Sequence, residues 1–314
     1  MRTGKWARRY GTLLTSILAG GAGCDVGVAA PSRNADSATT TARSETAPTA
    51  TSRARAPRPR ASAPAPEVDT DDSEPAEPSD AGGNAQAGNT QVQSFEKAKR
   101  TLGRVINADH RLTIYCGCAY SATGRMDFTG CGYVPRQDEE RAHRLEWEHV
   151  VPAEAFGQSF PEWRDGSPEC VNSKGHAFKG RECARKASVA FRYMEADMYN
   201  LYPEIGELNA LRSNLPMGEV QDETHPFGRC DVKLADNAFE PRPEVRGDVA
   251  RTYMYMSAAY PKRGIISRKN QKLFAAWSEM DPVDGWECER ARRIEKAQGN
   301  VNQILAALCS KAGL

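Results

Sequence analysis

The 314-residue chain is 39% hydrophobic and 26% charged, with 42 Lys and Arg against 41 Asp and Glu and a formal charge of +1. That balance excludes a protein that holds polyanions through its overall charge, so any polyanion site must be a local patch. Ten basic and ten acidic residues precede residue 92, which leaves the rest of the chain equally balanced.

Arg2, Lys5, Arg8 and Arg9 stand ahead of a short apolar run, Gly11 to Ala22, that is too short to span a bilayer. Gly21-Ala22-Gly23 places small residues before Cys24, and residues 1–24 are expected to be an export signal. Cys24 is either a lipid-attachment site or the neighbour of an ordinary cut, and the sequence leaves both open. Residues 25–91 are rich in Ala, Thr, Ser, Pro, Arg and Asp and contain no aromatic side chain. They cannot bury enough apolar surface to offset their ordering entropy and are expected to be a disordered tether. Residues 92–314 suffice for one globular domain with a core. Its eight cysteines, Cys116, Cys118, Cys131, Cys170, Cys183, Cys230, Cys288 and Cys309, suggest four disulfides of open pairing. A zinc site on Cys116, Cys118 and Cys131 is the weaker rival in an oxidising compartment.

Ser94 is placed to cap a helix from Phe95 to Asn107, with Phe95, Ala98, Leu102, Val105 and Ile106 on one face. Leu112 to Tyr115 reads as a strand entering the Cys116-Gly117-Cys118 turn, and Gly124, Gly130 and Gly132 punctuate a hairpin-like region. The stretch Arg144 to Ala153 reads as a strand ending, with Val150 and Val151 extended and Pro152 as the stop. Gly157 to Cys183 reads as a long loop bracketed by Cys170 and Cys183. Helices are expected over Ser188–Asn200 and Pro203–Asn214, then an irregular strand over Arg229–Glu240. Four further helices follow, Gly247–Tyr260, Ser267–Met280, Val283–Ala297 and Asn302–Cys309, with Asp281-Pro282 as a break. The class is α+β, with a small β cluster and a largely helical C-terminal half.

Three constellations carry chemistry. Glu148-His149 sets a carboxylate beside an imidazole at a strand end, where one can hold a cation while the other works on water. Adjacent strand residues face opposite ways, so both serve one site only if the chain bends or ends there. Asn209 and Arg212 share a helix face, an amide oxygen for a hard cation and a fork for phosphate. Lys174, His176, Lys179, Arg181, Arg185 and Lys186, with Phe178 among them, form a basic loop suited to a phosphate backbone if it lies beside a metal.

Together, Glu146-Trp147-Glu148-His149-Val150-Val151-Pro152-Ala153, Met194-Glu195-Ala196-Asp197 with Asn200-Leu201, and Gly206-Glu207-x-Asn209-x-x-Arg212-Ser213-Asn214 resemble the bacterial endonuclease I family. So do Tyr115-Cys116-Gly117-Cys118, Cys131-Gly132-Tyr133, Ala250-Arg251-Thr252-Tyr253, Trp286-Glu287-Cys288 and Gln298-Gly299-Asn300. The resemblance runs from about Phe95 to Cys309, includes all eight domain cysteines and omits the tether. It implies a disulfide-stabilised ββα-metal (His-metal finger) core and a periplasmic, secreted or outer-membrane-anchored enzyme. It further implies a monomer that hydrolyses DNA and RNA without base preference, with one divalent ion (Mg²⁺, or Ca²⁺ or Mn²⁺). Residue by residue, it implies His149 as general base, Glu148 and Asn209 as metal ligands, Glu195 and Arg212 as support, and Arg181 on the cleaved phosphate. Arg181 sits one residue nearer Cys183 than the family pattern, which keeps Lys179 as its substitute. The competing readings are an inactive cell-surface binding module that retains the fold and a different metal-dependent hydrolase on the same frame.

Overall fold

Residues 86–221 and 226–314 are described by the computed structural model, so the expected export signal, Cys24 and the expected tether up to residue 85 lie outside the described residues. Ser94 caps α1 (Phe95–Thr101) by accepting the Lys97 N–H, and the helix continues as one π turn over Leu102–Ile106. Asn107 donates its N–H back to the Leu102 carbonyl, and the wider turn buries Ile106 while turning Val105 outward at 57% exposure. The expectation that Val105 packs inward is thereby corrected. It assumed an unbroken 3.6-residue period, and the π turn inserts a residue into it.

The expected strand over Leu112–Tyr115 is reduced to one bridge, Leu112 to Ala119. Its backbone is used elsewhere. Thr113 closes the Cys116-Gly117-Cys118 turn, where Gly117 takes φ 64, and Ile114 donates to the Pro203 carbonyl. The regular hairpin pairs β1 (Ala119–Tyr120) with β2 (Met126–Asp127). Next come α2 (Glu139–Ala142), β3 (Leu145–His149), α3 (Ala153–Gly157), α4 (Pro161–Arg164) and α5 (Arg181–Ala187). The segment expected as a long loop therefore contains a helical turn, and the Cys170–Cys183 bridge closes its C-terminal part.

Ser188 caps α6 (Val189–Glu195), which stops at Ala196; a 3₁₀ turn over Met198–Asn200, capped by Asp197, leads into β4 (Leu201–Ile205) and α7 (Gly206–Arg212). Both helical expectations here ran too long. Leu201 to Ile205 is wholly buried and pairs antiparallel with β3, Glu148 opposite Tyr202 and His149 opposite Leu201. Pro203 is tolerated because the sheet has two strands and one of its sides needs no proline N–H. The next segment resolves into a hairpin of β5 (Lys233–Ala235) and β6 (Ala238–Glu240). The C-terminal half is α8 (Arg246–Ala259), α9 (Arg268–Met280), α10 (Gly285–Gln298) and α11 (Gln303–Ala312), close to the expected spans.

These helices hold the β3–β4 unit through polar groups. Buried Asp197 accepts the hydroxyls of Tyr255 and Tyr260, the Gln298 amide and the Tyr199 N–H, so α8 and α10 both grip the turn before β4. Arg290 of α10 donates to the carbonyls of Met198 and Leu201. Asn200 exchanges two bonds with the Val151 backbone and pins the end of β3 to the start of β4. Residues before 92 also pack onto the domain: Asn89 is buried and bonds to Val92, Tyr193 and Tyr260.

The eight domain cysteines pair as Cys116–Cys230, Cys118–Cys131, Cys170–Cys183 and Cys288–Cys309, which removes the zinc alternative. Among the described residues no helix is long and apolar enough to cross a membrane.

Candidate active site

β3 ends at His149 beside an open cleft of about 720 Å³, which both Glu148 and His149 line. The strand end thus lets neighbouring side chains share one site. Glu148 is 2% exposed; Tyr115 donates its hydroxyl to Oε1 at 2.8 Å, and Arg212 meets the same oxygen at 3.0 Å. Burial raises the Glu148 carboxyl above its ordinary pKa, and the Arg212 charge opposes that rise. Arg212 is fully buried on α7 and also donates to the carbonyls of His149 and Val150. Although burial works against its charge, the Glu148 carboxylate holds the guanidinium firmly protonated.

His149 places Nε2 at 2.9 Å from the Glu195 carbonyl. A carbonyl can only accept, so Nε2 carries the proton and Nδ1 keeps the lone pair. Burial, with the Arg181 charge adding to it, lowers the ring to about 3, so His149 is neutral at ordinary pH.

Behind the histidine, the nearly buried Glu195 carboxylate accepts from Arg181 Nε at 2.6 Å and from Arg185 Nε and Nη2 at 2.8 and 2.5 Å. Burial opposes its ionisation, but these two arginines hold its pKa below the usual value. Arg181 begins α5, lines the cleft and leaves Nη2 buried without a partner. Lys174, His176 and Lys179 are exposed and do not line the cleft, so the basic loop contributes its Arg181 end.

Asn209 faces the cleft from α7. Its amide nitrogen donates to Glu146 Oε2 at 2.9 Å, and Arg141 grips the same carboxylate through two bonds of 2.9 Å. With Nδ2 committed, the Asn209 carbonyl oxygen is the atom left to accept. Both side-chain partners of Glu148 sit on Oε1. One carboxylate and one amide oxygen, with water completing the shell, form a donor set suited to a small hard cation. Among the described residues no group of three or more His, Cys, Asp or Glu could hold a metal, so a richer protein cage is not the alternative.

The family described as Endonuclease I matches residues 84–306. An extracellular deoxyribonuclease of Aeromonas hydrophila is 40% identical over 224 residues, 69% of this chain and 91% of that protein. A periplasmic deoxyribonuclease of the same organism is 37% identical over 70% of this chain and 88% of its own length. Endonuclease-1 of Buchnera aphidicola is 34% identical over 70% of this chain and 83% of its own length.

The chain belongs to the endonuclease I family.

It is therefore a nuclease. In this endonuclease I family member, Glu148, His149, Arg181 and Asn209 line one cleft, while Glu195 and Arg212 are buried behind it. Sequence reasoning gave no separate role to Arg185, Glu146 or Tyr115. Arg185 could have been found, because it follows Arg181 by four residues and so shares its helix face. The contacts of Tyr115 with Glu148 and of Asn209 with Glu146 join residues far apart in sequence and gave no local signal.

Proposed function

We propose that this protein is an exported, metal-dependent, sequence-nonspecific endonuclease that hydrolyses phosphodiester bonds of DNA and RNA. We read β3, β4 and α7 as a ββα-metal core, with the leader as the export signal and Cys24 as its lipid-attachment or cleavage-adjacent residue. The observation that carries this reading is the His149 ring. Its Nε2–H is committed to the Glu195 carbonyl, so Nδ1 is the atom free to take a proton in the cleft.

Glu148 and Asn209 would hold one divalent ion, Mg²⁺ or alternatively Ca²⁺ or Mn²⁺, which supplies charge stabilisation at the phosphate oxygens. His149 accepts the proton of the attacking water at Nδ1. Arg181, held by Glu195, lines the cleft with its guanidinium and meets the phosphate there. Arg212 opposes the rise that burial imposes on the Glu148 carboxyl and fixes the carbonyls at the strand end. All of these groups come from one chain, in keeping with a monomer. Relatives named extracellular or periplasmic deoxyribonucleases support export and a DNA substrate, and four disulfides suit an oxidising compartment. Contacts to phosphate rather than to bases extend the reading to RNA.

Nicking of supercoiled plasmid with Mg²⁺, and with EDTA instead, tests the proposal. His149→Ala should lower the metal-dependent rate by about 10²–10⁴ while calorimetric metal binding persists. Nicking that survives EDTA, or full turnover by the variant, would overturn it.

A further inference from the structure

The cleavage cleft is close to neutral: Lys99, Arg141 and Arg181 line it against Glu146, Glu148 and Glu154. Of these cations, Arg141 is paired with Glu146 and Arg181 with Glu195. A site so balanced gives little long-range attraction to a polyanion, so the attraction must come from elsewhere.

A second cleft of about 450 Å³ adjoins the first, and Lys99, Leu145 and Trp147 line both. Its walls carry Lys99, Arg100, Arg104, Arg111 and Arg144, and no Asp or Glu among the described residues. Arg100, Arg104, Arg111 and Arg144 form no side-chain ion pair among the described residues, unlike Arg185, Arg246, Arg251 and Arg293 elsewhere in the molecule. The π turn belongs to this wall, with Arg104 on its exposed side. Gly103 lies over Trp147, where an added Cβ would stand 3.6 Å from the ring, so the helix runs directly along the aromatic boundary between the clefts. Across from it, Ser121 and Thr123 add hydroxyls in the turn after β1.

We propose that this cleft is a binding subsite for the phosphodiester backbone of the same nucleic-acid strand, engaged to one side of the scissile phosphate across Trp147. The proposal rests on the endonuclease reading for the identity of its ligand. Four uncompensated guanidinium groups suit successive phosphates, and the absence of a carboxylate leaves nothing to repel them.

The test compares Arg100→Gln/Arg104→Gln/Arg144→Gln with a charge-matched control on α9, Arg268→Gln/Lys269→Gln/Lys272→Gln. Binding of a DNA duplex is measured in EDTA over a salt series, and KM and kcat on plasmid with Mg²⁺. The first triple should reduce the slope of log Kd against log salt by about 2–3, weaken binding about tenfold or more, and show its loss in KM. The control should keep the original slope. An unchanged slope in the first triple, an equal fall in the control, or a loss confined to kcat would overturn the subsite. Because binding is read without metal, the two ideas fail separately. A lowered slope without metal-dependent nicking condemns the cleavage reading, and nicking with an unchanged slope condemns the subsite.

Discussion

Glu148 and His149 adjoin in sequence and make opposite demands on their surroundings. Burial favours the neutral form of each, yet a carboxylate that holds a cation must be charged while a base must be neutral. Arg212 meets Glu148 at 3.0 Å and opposes the rise that burial still imposes on it, while His149 is left to desolvation and the Arg181 charge. The same burial acts on Glu204, which has no ion pair among the described residues, although the Arg242 charge opposes the rise. Its two backbone donors, Tyr115 and Ile205, do not offset desolvation, and its carboxyl rises from 4.5 to about 8. A raised folded pKa favours the neutral acid in the fold. Its contribution is therefore complete below 4.5 and is lost as pH rises through about 8. Glu204→Gln mimics the neutral acid, so its urea midpoint should fall less than that of the unaltered protein across this window. Parallel pH profiles would refute the neutral carboxyl.

At the scale of elements, the active cleft depends on how closely α7 approaches the end of α2. Gly206 opens α7 and donates its N–H to the Arg144 carbonyl, and a Cβ there would stand 2.6 Å from the Arg141 carbonyl oxygen. Backbone cannot yield as a flexible side chain does, so Gly206→Ala must displace α7 from β3. Asn209 would move with it, away from Glu146 and Glu148. The expected result is about 1–3 kcal/mol of lost stability, with a weakened metal affinity read by calorimetry. Unaltered metal affinity would show that α7 does not position the proposed second ligand. The π turn is an element of the same kind, since one added residue decides which of Val105 and Ile106 is core and which is surface.

Across the whole molecule, the Cys116–Cys230 bridge ties the turn beside Tyr115 to a segment 114 residues away. Tyr115 donates its hydroxyl to Glu148 and its N–H to Glu204, so this bridge anchors the floor of the site. In the chain-entropy account, a loop of that length is worth about 5 kcal/mol, against about 3 for the 13-residue separation of Cys170–Cys183. Cys116→Ala/Cys230→Ala should therefore lower the urea midpoint more than Cys170→Ala/Cys183→Ala does, and should also reduce activity under native conditions. The reverse order would show that strain or residual unfolded structure outweighs loop length.

Much of this was legible in the chain itself. Caps at Ser94, Ser188, Ser267 and Asn302 and the break at Asp281-Pro282 are local chemistry, so these helix starts were readable, and the four C-terminal helices nearly to their ends. The even cysteine count indicated four bridges, and the Glu-His, Asn and Arg motifs named the residues that the cleft brings together. Distance in sequence concealed the rest. Pro203 and its neighbours carry helical periodicity, and only pairing with β3 makes them a strand. The role of Glu148 depends on Tyr115 and Arg212, which lie 33 residues before it and 64 after it in the chain. Residue types and spacing determined which groups could do chemistry, because propensity, capping and composition act within a few residues. Tertiary structure alone decided the cysteine pairing, the His149 tautomer, the partners of Glu148 and the joining of Arg100, Arg104 and Arg144 into one surface, because each depends on groups that meet only after the chain has folded.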